Sequence, residues 1–225
     1  MNDERRMDVR GSISHLGVFS GVAVSALSVA YVVVLSVGLL TLPSPDQQIQ
    51  DPWFTLMELL ILAIAPAMVA FAVAMHSWVP AGRRALSLLS VTFMVMCAVV
   101  TCAVHFLVLS VSRDPVFAST EWSRLVFSFT WPSIAYALDV LAWDVFLPLG
   151  ALFAALCVRG TPLAGGVQAL FYSSSAFSFL GLLGVPLANM QIRNLGIIGY
   201  AVLFPVATAI SAMRFRTERS DVQAI

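Results

Sequence analysis

From Leu16 to Leu42 the chain runs for about 27 residues without one charged side chain. Similar runs recur along most of its length, and they constrain the fold more than any other feature. A helix rises about 1.5 Å per residue, so roughly twenty apolar residues cross the 30 Å hydrocarbon layer of a bilayer. Membrane barrel strands would instead alternate apolar and polar residues over segments of about ten. Only 11% of the residues are charged and the mean hydropathy is +0.92. Ordinary soluble domains carry roughly a quarter charged residues. The sequence therefore predicts an all-α, polytopic membrane helical bundle whose main partner is the lipid bilayer.

Six runs are long enough to span, near 16–42, 54–78, 86–111, 132–158, 164–187 and 194–213. Together they predict one membrane domain over residues 1–225, with short cytoplasmic tails at 1–15 and 214–225, the second expected to fray. The first run is too long for a signal-peptide core, and no small-x-small cleavage site follows it. It reads as an uncleaved first membrane helix. Asp51 is expected to cap the second helix, with Pro52 in its first turn, and Pro132 to open the fourth. Gly160-Thr161-Pro162 separates the fourth from the fifth.

The arginines set the orientation. With alternating loops, one side collects Arg5, Arg6, Arg10, Arg83, Arg84, Arg159, Arg214, Arg216 and Arg219. The other has Arg113, Arg124 and Arg193. Under the positive-inside rule this predicts six transmembrane helices with both termini cytoplasmic, N-in and C-in. The 12 basic side chains are all Arg. That bias reads as a GC-rich bacterial genome, which places the protein in a bacterial cytoplasmic (inner) membrane. Net charge is zero, which gives nucleic acid no electrostatic handle. Cys97, Cys102 and Cys157 fall within apolar runs without CxxC spacing and read as small buried hydrophobes.

The longest loop, 112–131, carries an amphipathic piece around Trp122, Leu125, Val126 and Phe129. It is expected to lie on the interface or cap the bundle, with Trp53, Trp122 and Trp131 as an outer aromatic belt. Pro66, Pro148 and Pro205 interrupt the second, fourth and sixth helices, where each frees a carbonyl and bends its helix. Gly17 and Gly21 have the GxxxG spacing of close helix contacts. The segment IRNLGIIGYAVLFPVATAISAMRFR, together with the Trp-Asp pair of the fourth helix, resembles a broad group of bacterial six-helix membrane proteins of unknown function. The resemblance covers the layout of most of the chain and implies no activity.

Ionisable groups at membrane depth cost about 2.5–3.5 kcal/mol each on insertion scales, so they face protein or water. Counted along their helices, Asp139 lies roughly 10 Å, His105 roughly 9 Å and Glu58 roughly 6 Å below the outer boundary. These three are expected to share an outward-opening cavity. Tyr136 and Trp143 extend the Asp139 face at helical spacing. Asp144 points about 140° away from Asp139, toward the fifth helix. There the hydroxyls of the Tyr172-to-Ser178 stretch, Ser174 and Ser178 among them, are its expected partners. Asn189, Gln191, Arg193 and Asn194 are read as an outer loop able to roof the cluster.

The function this pattern favours is binding or transport of a small polar or amphipathic molecule, or of protons. Six helices are few for a transporter, so a homodimer is expected. The alternative is a membrane-embedded enzyme, either acid–base on a lipid-like or terpenoid substrate or using a metal held by Glu58, His105 and Asp139. A third reading is a structural membrane subunit. No HExxH or HxxxH motif is present, and no cofactor is indicated.

Overall fold

The computed structural model describes residues 3–44, 47–118, 120 and 122–223, and every regular element among them is helical. In chain order these are α1 (Asp3–Leu40), α2 (Trp53–Trp78), α3 (Arg84–Ser110), two short loop helices α4 (Pro115–Ala118) and α5 (Ser123–Phe127), α6 (Ile134–Val158), α7 (Gly166–Leu182) and α8, which starts at Met190 and ends at Gln223.

Five of these helices, α1, α2, α3, α6 and α8, are long and apolar enough to cross a membrane. The expected count of six meets a difference at α7. Its 17 residues make it about 26 Å long, against the ~30 Å hydrocarbon layer. It stops at Leu182, not 187, because Pro186 has no N–H to give the Leu182 carbonyl. A run of tight turns follows, ending at Ala188 with φ 49°.

The caps are local and legible. Asp51 Oδ1 accepts from the Thr55 amide at 3.2 Å and the Thr55 hydroxyl at 2.5 Å, although Pro52 itself occupies the cap position of α2. Ser133, not Pro132, caps α6 by accepting the Tyr136 amide. Asn189 caps α8 by accepting the Gln191 amide at 3.0 Å. Residues from Asp3 onward continue α1, and the C-terminal tail, expected to fray, continues α8 as far as Gln223.

The six long helices close into a ring in chain order: α1 on α2, α2 on α3, α3 on α6, α6 on α7, α7 on α8, and α8 back on α1. At that closing contact a Cβ on Gly17 would stand 2.7 Å from the Phe215 ring, and one on Gly21 would stand 2.9 Å from the Thr208 carbonyl. The ring's interior is filled by Met68, Phe71, Met94, Leu147, Phe171 and Phe204.

Both α6 and α8 contain a π-helical segment, Leu141–Phe146 and Ile198–Leu203. Each ends two residues before a proline, Pro148 or Pro205. The residue preceding each proline bonds five residues back, Leu147 N–H to the Ala142 carbonyl and Phe204 N–H to the Gly199 carbonyl. A widened turn gives the pyrrolidine ring room where a regular turn would clash. Pro66 needs no such device and stays within regular α2. Tyr136 and Arg193 each stand twelve residues before their helix's proline, and Trp143 and Tyr200 five residues before. Those matched pairs touch across the α6–α8 boundary.

Candidate functional site

Glu58 of α2, His105 of α3 and Asp139 of α6 meet. His105 Nδ1 is 2.9 Å from Glu58 Oε2, and Nε2 faces Asp139 Oδ1 at 3.5 Å. The chain of charges then continues into α8. Arg193 Nη2 donates to Asp139 Oδ2 at 2.8 Å, and Nε donates to Asp144 Oδ2 at 3.3 Å. Nη1 donates to the Tyr136 hydroxyl at 3.3 Å, and the guanidinium lies 4.6 Å above that same ring. Glu58, His105, Asp139, Arg193 and Asp144 thus form one unbroken line of alternating acid and base across four helices.

Each member is placed by its helix. Glu58 follows the Asp51–Thr55 cap by about one turn. His105 ends the buried stripe of Cys97, Thr101 and His105 on α3. The α6 cap at Ser133 starts the turn that presents Tyr136 and Asp139 on one side. The π segment then turns Asp144 to the α7–α8 side, where it is fully buried.

The cluster is closed. Glu58 is 3% and His105 5% exposed, and Phe129 from the long loop between α3 and α6 stacks on the imidazole at 4.9 Å between centroids. The expectation of a cavity open to the outside is corrected here, because direct ion pairs take up the space between the side chains. The loop's cap over the bundle is real. Phe127 and Phe129 pack with Phe54 on Val104, Val108 and Ala135. Gln48 donates to Ser128 at 2.8 Å, and Arg113 pairs with Asp51 at 3.0 Å.

The metal reading of Glu58, His105 and Asp139 is also corrected. The carboxylates lie at opposite ring nitrogens, so one ion could not bind both together with the imidazole. Among the described residues, no group of three or more His, Cys, Asp or Glu is arranged to hold a metal ion.

The hydroxyl stretch of α7 is not the hydrogen-bonding partner of Asp144. Ser174 and Ser178 are fully buried, yet neither hydroxyl has a partner among the described residues, and the donor to Asp144 is Arg193. What α7 contributes is proximity. Asp144 Oδ1 lies where a Cβ on Gly181 or Gly196 would stand, and Ser178 Oγ is 2.5 Å from a Cβ position on Gly199. Trp143 packs in the core against Tyr200, 5.2 Å between centroids.

Three contributors escape a hydropathy reading. Arg193 is not in a roofing loop but one turn inside α8, and only 6% exposed. The signal was Asn189, a good N-cap residue, which starts the helix at Met190. Tyr31 of α1 and Tyr200 of α8 stand in the electrostatic field of Asp139 and Arg193. Tyr31 is the one phenol in the first apolar run.

Proton exchange is open to His105 and the carboxyls beside it, while Arg193 stays cationic and holds Asp139 and Asp144. Compared with protein-family models, curated proteins and solved structures, the chain matches none.

Proposed function

We propose that this multi-pass membrane protein moves protons at the Glu58–His105–Asp139–Arg193–Asp144 cluster, with His105 and the carboxyls exchanging them and Arg193 holding Asp139 and Asp144 as a fixed cation, in support of transporting a small polar or amphipathic molecule. The observation that carries the reading is the unbroken run of contacts from 2.8 to 3.5 Å between five ionisable side chains. Intramembrane ionisable residues that pair with one another mark ion and proton paths. The pairs sit among two π-helical segments, a feature frequent at functional sites.

In this reading α7 completes a six-span bundle with both termini cytoplasmic, in a bacterial inner membrane. The arginine bias and the closed ring of six helices support it. Labelling of single introduced cysteines tests the orientation: position 47 reacts only from outside, position 82 only from inside. A homodimer is part of the same proposal.

The function is tested in liposomes enclosing a pH indicator. The wild-type protein admits protons after an external pH step faster than empty liposomes, and His105→Gln and Asp139→Asn abolish the excess. Wild-type traces equal to those of empty liposomes, with and without a membrane potential, overturn the proposal in favour of a structural role.

A further inference from the structure

We infer that Asp144 is the carboxyl of the cluster that holds a proton at rest, an assignment that rests on the proposed function and names its proton-holding group. The first argument is charge. The line contains three carboxyls, Glu58, Asp139 and Asp144, and two bases, His105 and Arg193. A guanidinium stays protonated in proteins. Even with a cationic imidazole, three carboxylates face two positive charges. One negative charge is left over inside a closed, membrane-depth site, where an uncompensated ion is costly. A single proton on one carboxyl removes it.

The second argument is the donor set, which differs sharply among the three acids. Glu58 has the imidazole nitrogen at 2.9 Å. Asp139 accepts from Arg193 at 2.8 Å on one oxygen, and the His105 ring approaches the other at 3.5 Å as an ion pair without a hydrogen bond. Asp144 has one contact, at 3.3 Å through Oδ2. Its Oδ1 is wholly buried and has no hydrogen-bond donor among the described residues. That oxygen lies against the backbone of Gly181 on α7 and Gly196 on α8, and no side chain separates it from either.

No other charge compensates it. The ionisable groups around Asp144 are Arg193 and the Tyr200 phenol from α8 and Asp139 from its own helix. From α7 comes Gly181, which carries no charge. An anionic oxygen in this place lacks every partner that would stabilise it. A carboxylic acid carries no charge to compensate, and its O–H needs a single acceptor. Among the described residues, Arg193, already shared with Asp139, is the one cation in contact with Asp144.

Infrared spectroscopy of the purified protein tests this without any transport measurement. At neutral pH the wild type shows a carbonyl band of a protonated carboxyl in a dry environment. Carbon-13 labelling of aspartate shifts that band, and Asp144→Glu moves it to a glutamic acid position. Should Asp144→Glu fail to fold, aspartate-labelled Asp139→Glu decides: its band keeps the aspartate isotope shift if Asp144 holds the proton. A missing band in the wild type, no shift on aspartate labelling, or a band that loses its shift in Asp139→Glu overturns the assignment. Flux can fail while the band persists, which separates this inference from the relay itself.

Discussion

Arg193 Nη2 sits 2.8 Å from Asp139 Oδ2, joining a residue near the start of α8 to the N-terminal half of α6. The same guanidinium reaches Asp144 through Nε. One planar fork therefore reaches two carboxyl groups on one helix, a task suited to Arg and not to the point charge of Lys.

Removing that fork leaves two buried acids without their cation. Arg193→Gln is expected to destabilise by about 3–5 kcal/mol, the usual cost of breaking a buried pair from one side. Arg193→Lys should recover only part of it. Thermal unfolding in detergent, followed by tryptophan fluorescence, measures both; an Arg193→Gln protein as stable as wild type contradicts the pairing.

His105 and Asp139 should be coupled. His105→Gln and Asp139→Asn each strand a partner, so the double substitution should cost less than the two single costs added, by about 0.5–3 kcal/mol. Additive costs would mean that the 3.5 Å approach carries no energy.

The glycines around Asp144 predict a steric effect. Gly196→Ala would drive a methyl group into Oδ1, and Gly181→Ala would place one 2.8 Å from the Gly196 Cα. Overpacking of this kind costs about 1–3 kcal/mol. Gly11→Ala is the control, because a Cβ there meets nothing within 4 Å and Ala favours the helix. Equal melting temperatures for all three variants would refute the close crossing.

Outside the membrane, the Thr55 hydroxyl and amide and the Arg113 guanidinium hold the Asp51 carboxyl below the usual aspartate range. Its folded value lies under its unfolded one. The stability it adds is therefore present above the unfolded value and lost as pH falls through the folded one. The pair is exposed, so the effect stays below about 1 kcal/mol. Asp51→Asn should lower stability at neutral pH and flatten the acid limb of a stability–pH curve; an unchanged acid limb would count against it.

Hydropathy made the long helices legible, because lipid demands long uncharged runs. The expected 54–78 and 86–111 fall within two residues of α2 and α3. Depth counting brought Glu58, His105 and Asp139 together because α2, α3 and α6 are neighbours in the ring. It failed at Arg193, since a window that penalises charge pushes a helix start past the first charged turn. It also paired Asp144 with hydroxyls when a cation was in reach. The π segments leave no trace in periodicity. Their one clue is a proline two residues further on, and Pro66 shows that proline alone is not sufficient.

The Arg193 fork also has a consequence for biosynthesis. Its two carboxylates precede it by 54 and 49 residues in the chain. At about 5–20 residues per second, α6 is made roughly 3 to 10 seconds before its cation leaves the ribosome. During that interval the nascent α6 offers two acids to the insertion machinery with only His105 to answer them. Helices α6, α7 and α8 are thus expected to enter the bilayer as one cohort, and a chain truncated before Arg193 should leave α6 poorly inserted.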